Sequence, residues 1–139
     1  MESFHVTLHP LRKSDLDPLG AESDAIDFVP AGRRFECSFE QLADRLAALP
    51  RFFLEPDGSF VWVVESNDAR FQLDGLLVDD GSQMLNVEIK GTAGREVFSL
   101  FLSKLCSPEE TVVVQLVERG VYLTLDDFQQ RFLASENVN

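Results

Sequence analysis

The feature that most constrains this chain is a pair of alternating segments, Phe71 to Asp79 and Met84 to Gly91, separated by Asp80-Gly81-Ser82. Phe71, Leu73 and Leu77 in the first, and Leu85, Val87 and Ile89 in the second, recur with the period of two that a half-buried strand requires. Gly81 supplies the left-handed backbone of a tight reversal, so the two segments form an antiparallel hairpin. Loop length then decides which side chains share a face. A three-residue loop over Asp79-Asp80-Gly81, with Gly81 in the bulge position, sets Val78 opposite Ser82 and keeps residues of equal parity together. The six apolar residues stay on one side. Gln72, Asp74, Asn86, Glu88 and Lys90 fall on the other, with Leu76, Val78 and Met84 nearer the turn. A two-residue loop at Asp80-Gly81 would split the apolar set and part Asp74 from Glu88, so the odd loop is expected.

The surrounding chain reads as an α+β fold built on antiparallel pairing. Arg51 to Glu55 and Ser59 to Glu65 flank Pro56-Asp57-Gly58, which predicts a hairpin just before the central one. Ser38 and Gln41 form a capping box ahead of Phe39, Leu42, Ala43, Leu46 and Leu49, a helix that Pro50 stops. Glu96 to Cys106 carries apolar residues over most of a helix surface, which implies deep burial. Thr111 to Val117 is a β-branched strand, and Val121 to Leu123 adds a short one. Thr124 with Asp127 caps a last helix bearing Leu125, Phe128 and Phe132. At the N-terminus, Phe4, Val6 and Leu8 alternate with His5, Thr7 and His9 until Pro10 closes the strand. The expectation is a mainly antiparallel sheet, two consecutive hairpins plus a later strand, packed by about three helices. Residues 10–36 form a long irregular connection and 135–139 a frayed tail.

Length and composition narrow the class. The 139 residues, 45% apolar with 12 Phe, suit a single domain with a substantial core. The longest apolar runs, such as Phe60 to Val64, fall far short of the ~20 residues that span a bilayer, so no membrane role is expected. Met1 to Pro10 lacks a basic region followed by an apolar stretch, which predicts no secretory signal and a soluble cytoplasmic location. Cys37 and Cys106 stand 69 positions apart without a CxxC, and each has apolar neighbours, so they read as reduced thiols in or near the core. The net charge of −12, from 24 acidic and 12 basic residues, sets a long-range barrier against phosphate backbones and makes nucleic acid an unfavourable partner.

The polar face of the central hairpin carries the one chemical motif. Two carboxylates and a lysine are the groups a divalent-metal phosphodiesterase needs: the carboxylates hold a hard cation, and the lysine orients water or offsets charge on the phosphate. Asp74 in Gln72-Leu73-Asp74-Gly75 and the run Glu88-Ile89-Lys90 resemble the PD-(D/E)xK nuclease superfamily over about residues 38–117. That family's core runs helix, three antiparallel strands, helix, strand. The resemblance implies a restriction-endonuclease-like core, Asp74 and Glu88 as ligands of Mg²⁺ or Mn²⁺, Lys90 as base or stabiliser, and Glu40 as auxiliary acid. Leu73 stands where the motif prefers proline. The competing reading makes the same residues the solvated outer face of a one-sided sheet, with Glu88 and Lys90 in cross-strand pairs.

The other motifs have plain explanations. His5 and His9 would share a metal on a helix, but on a strand they stand ~13 Å apart. Gly91-Thr92-Ala93-Gly94 lacks the GK[ST] of a phosphate loop and reads as a strand-to-helix turn. Arg33-Arg34 reads as solvated surface, and Trp62 as core. The sequence thus favours a non-enzymatic binding or interaction module with an unidentified protein partner and no cofactor. A metal-dependent nuclease, or a degenerate relative of one, is the alternative. An acidic mimic occupying a basic groove is a third, carried only by the charge.

Overall fold

The computed structural model describes residues 3–15, 25–26, 33–66 and 69–133, with backbone alone at 25–26 and 66. Eight strands and three helices follow in chain order: β1 (Phe4–Arg12), β2 (Ala25–Ile26), α1 (Phe39–Ala47), β3 (Phe52–Leu54), β4 (Ser59–Ser66), β5 (Ala69–Asp79), β6 (Met84–Gly91), α2 (Arg95–Leu105), β7 (Glu110–Leu116), β8 (Val121–Thr124) and α3 (Leu125–Phe132). The strands make one sheet in the order β2-β8-β7-β1-β6-β5-β4-β3. Every pairing in it is antiparallel. This is the α+β class expected, with two consecutive hairpins at its heart.

The N-terminal strand differs from expectation. It does not end at Pro10 but runs on to Arg12, between β6 and β7. Pairing with β6 stops at Leu8, whereas pairing with β7 continues through Pro10 opposite Val112 to Arg12 opposite Glu110. The amide of Val117 donates to the His5 carbonyl, so odd residues of β1 turn their backbone groups toward β7 and even ones toward β6. The missing N–H of Pro10 therefore faces the side on which pairing has already ended, where proline disturbs no ladder. A 3-10 turn at Lys13–Asp15 follows. The expected connection over 10–36 thus contains the end of β1, this turn and the two-residue β2; residues 16–24 and 27–32 of it, and the tail 135–139, lie outside the described residues.

Three helices cover one face of the sheet. Phe98 of α2 and Phe128 of α3 set their rings edge-on against Phe4, at 6.1 and 5.3 Å between centroids. Phe101 of α2 stacks on Phe60 of β4 at 5.6 Å. On α1 the apolar face of Leu42 and Leu46 is fully buried in the same core as Phe4, Val6, Leu8, Leu73, Leu77, Val87 and Ile89. The capping box at Ser38 and Gln41 is formed, and the Thr124 hydroxyl accepts the Asp127 amide to start α3. The α2–β7 turn is pinned by Glu110, a buried carboxylate that accepts the amides of Ser107 and Glu36 at 2.9 and 3.0 Å.

The central hairpin keeps the expected parity but not the expected register. Asp74 pairs with Lys90 and Leu77 with Val87, and a bulge between Val78 and Asp79 moves the last pair to Asp79 and Met84. The reversal spans Asp80 to Gln83, where one Asp80 oxygen accepts the amides of Ser82 and Gln83. An acceptor that serves two successive amides stabilises a longer turn than the three-residue loop. The bulge also exchanges two side chains near the turn. Met84, expected on the polar face, is fully buried in the core, while Leu85, expected among the apolar set, is only half-buried.

Gly75 sits where the Phe60 ring crosses β5. A Cβ there would overlap that ring and approach the Glu88 carbonyl oxygen at 2.6 Å, so Gly75→Ala forces ring and backbone apart. We expect it to destabilise by about 1–3 kcal/mol in urea unfolding, the range of overpacked cores. Phe4→Ala, which removes a ring held by both Phe98 and Phe128, should cost about 3–5 kcal/mol in the same measurement. A loss below 1 kcal/mol at either position would contradict the packing described.

Candidate functional site

The face opposite the helices carries the candidate site. Alternation along each strand and the observed registers build it in two rows. One runs Phe53, Val61, Asp74, Lys90, His5 across β3, β4, β5, β6 and β1. The next runs Ser59, Leu76, Glu88, Thr7, Gln115, Tyr122 from β4 to β8. Asp74, Asn86, Glu88 and Lys90 therefore share one face, as parity predicts, and α1, α2 and α3 all pack against the other. Glu40 lies on α1, in the helical layer, and so stands on the far side of the sheet from the other three.

Proximity on a face is not convergence. Asp74 lies opposite Lys90, whereas Glu88 lies opposite Leu76 on one flank and Thr7 on the other. The Glu88 carboxylate is engaged by His5, whose Nε2–H donates to Oε2 at 2.6 Å. An ionised carboxylate can only accept, which fixes the proton on that nitrogen. Since β1 and β5 flank β6 on opposite sides, the Glu88 head turns away from Asp74. Asp74 is exposed, and its Oδ1 accepts from Gln72 Nε2 along its own strand at 3.2 Å. Among the described residues no three His, Cys, Asp or Glu side chains are gathered as a metal site would need. The two carboxylates are separately engaged, on an open surface.

The histidines are strand residues with partners, as expected. His9 Nε2 donates to the Gln115 side-chain oxygen at 2.8 Å and sets its ring against Tyr122. Residue type alone did not show that β1 inserts beside β6 and β7, and the polar half of the Phe4-to-Leu8 alternation was the only hint of what His5 and His9 would meet. Arg33 pairs with Asp15 and Arg34 with Asp80. Trp62 is buried and donates to the Pro50 carbonyl. Toward β3 the face turns apolar: Phe53 is 63% exposed beside half-buried Val61, with Leu76 and Val78 half-buried nearby. No helix among the described residues is long and apolar enough to cross a membrane.

Among the carboxylates, the strongest perturbation sits at the turn of the central hairpin. The amides of Gln83 and Ser82, with the Arg34 guanidinium beside them, hold the Asp80 carboxyl down at about 2 against an ordinary 3.8. A depressed acid contributes stability above its unfolded value and loses it as pH falls through the folded one. The turn should therefore loosen between about pH 4 and pH 2. NMR shifts of the Ser82 and Gln83 amides should titrate with a midpoint near 2. In Asp80→Asn that titration should vanish, and a midpoint near the ordinary carboxylate value in the unsubstituted chain would refute the assignment.

No protein-family model matches this chain, and neither a curated protein nor a solved structure does.

Proposed function

We propose that this chain is a non-enzymatic binding module that engages a protein partner through the β3 end of the sheet face opposite its helices. The observation that carries the reading is the layout of that face. Its central polar groups are hydrogen-bonded to one another, as in His5 with Glu88 and His9 with Gln115, and its β3 end exposes Phe53 beside Val61. Satisfied polar groups beside an exposed aromatic anchor resemble the composition of protein interfaces, in which aromatic residues carry much of the energy. Catalysis by charge stabilisation asks for groups aimed at a water-excluded point. Asp74 and Glu88 instead point to separate partners in solvent. The charge of −12 disfavours a polyanionic ligand and suits a partner with a positive rim.

The second reading is a Mg²⁺- or Mn²⁺-dependent nuclease using Asp74, Glu88 and Lys90, supported by their placement on one face of the sheet. One experiment separates the two. A photoreactive phenylalanine analogue is placed at Phe53, Val61 or Leu76, and for comparison at Glu40 and Asp44 on α1, and cross-linked in cells. The binding module predicts one discrete adduct from the sheet positions, lost in Phe53→Asp, and none from the helix. Equal labelling of both layers would overturn it. So would DNA cleavage by the purified chain that needs Mg²⁺ or Mn²⁺ and disappears in Asp74→Ala.

A further inference from the structure

The two cysteines, 69 positions apart in sequence, are brought near each other where the start of α1 meets the end of α2. Cys37 precedes the N-cap of α1, and Cys106 is the C-cap residue of α2. The Cys37 thiol donates to the Leu105 carbonyl at 3.6 Å, one peptide link from Cys106. Ordinary peptide dimensions then place the Cys106 Cα within roughly 6.5 Å of the Cys37 sulfur. The neighbouring residues bind the two segments together. Glu110 accepts the amides of both Glu36 and Ser107, and the Ser107 hydroxyl donates to Glu36 at 2.6 Å. Arg45 of α1 adds a hydrogen bond to the Lys104 carbonyl of α2 at 3.1 Å. Glu36 before Cys37 and Ser107 after Cys106 are therefore clamped together, while neither thiol is in a disulfide.

We propose that Cys37 and Cys106 are a redox pair that closes a disulfide between the start of α1 and the end of α2 when the chain meets a small-molecule disulfide such as oxidised glutathione. Exposure sets the order of events. Cys106 is half-buried and Cys37 is buried, so the Cys106 thiolate attacks the glutathione disulfide first and releases one glutathione thiol. The Cys37 thiolate then attacks the Cys106 sulfur of the mixed disulfide and expels the second glutathione. Two protein thiols are oxidised, one glutathione disulfide is reduced to two thiols, and the two protein protons end on the two glutathiones. The hydrogen bond from Cys37 to Leu105 is given up.

The surroundings make this pair slow at neutral pH. Burial, Glu110 and the neighbouring Cys37 push Cys106 up to about 12, with Lys13 opposing, and burial and Glu110 raise Cys37 against the pull of Arg45. Thiolate is the attacking species, so the rate of the first attack, by Cys106, should climb with pH, about tenfold per unit. A disulfide that closes so long a loop restricts the unfolded chain strongly, and the oxidised form should melt several degrees higher.

The test incubates the full chain with oxidised glutathione at pH 7 and pH 9 and follows intact mass, tryptic peptides and thermal midpoint. The expected result is a loss of two hydrogens, a linked peptide pair containing Cys37 and Cys106, faster formation at pH 9 and a raised midpoint that reverses with a reducing thiol. Cys37→Ala should stall as a stable glutathione adduct on Cys106, and Cys106→Ser should remain unmodified in the folded state. A stable adduct on Cys106 in the unsubstituted chain, or modification of neither thiol at pH 9, would overturn the proposal.

Discussion

The structure depends on the insertion of β1 between β6 and β7. Without that strand the four-stranded meander β3 to β6 and the C-terminal hairpin β7–β8 would be separate pieces, each with an open edge. With it they become one sheet, wide enough to seat three helices side by side. Phe4 is the residue at which this is most visible, because its ring is gripped by both α2 and α3. A strand from the N-terminus that meets partners about 80 or more residues away closes its contacts late and at an entropic cost. Deep burial of Phe4, Val6 and Leu8 on one face offsets that cost.

The same insertion sets the character of the opposite face. Thr7 lies opposite Glu88 and His5 opposite Lys90, so β1 brings polar partners to a hairpin that would otherwise end in solvent. Glu88 is drawn toward β1, and Asp74 is left on the β5 side. A pair of carboxylates that parity places together is thereby divided by the strand next door. At β3, the edge strand among the described residues, and the adjoining part of β4, the face is apolar and exposes Phe53.

Much of this was legible in the sequence. The capping box at Ser38, the Gly-bearing turns and the parity of the central hairpin all follow from local chemistry, and local chemistry decides them in the fold too. The register was less legible because it is settled by a bulge and by the Asp80 turn, in which one side chain serves the amides two and three residues along. The bulge moved Met84 inward and Leu85 outward, whereas the face of Asp74, Glu88 and Lys90 is kept, since the partner of each β5 residue moves by four positions, Val78 lying opposite Asn86 instead of Ser82, and an even slip preserves parity. Pro10 departs from the expectation for a related reason. Whether proline ends a strand depends on which neighbour its missing donor would have faced, and that neighbour is non-local. The Glu88–His5 and Cys37–Leu105 contacts are non-local in the same sense, and no spacing within one strand or helix encodes them.

A carboxylate that works on a phosphodiester must be held where water is scarce and a second carboxylate is near, so that a cation is worth more there than in bulk solvent. On this sheet Glu88, Asp74 and Gln115 are each bonded to a neighbouring side chain, and α1, α2 and α3 are all on the far side. An interface asks for the opposite arrangement. Polar groups already satisfied in the free protein need no new partner when they are covered, so covering them avoids much of the penalty of leaving a buried donor or acceptor unpaired. An exposed aromatic at the margin then supplies apolar area for association. The features that argue against chemistry at Asp74 and Glu88 are thus the ones that make the surface around them suited to being covered by another protein.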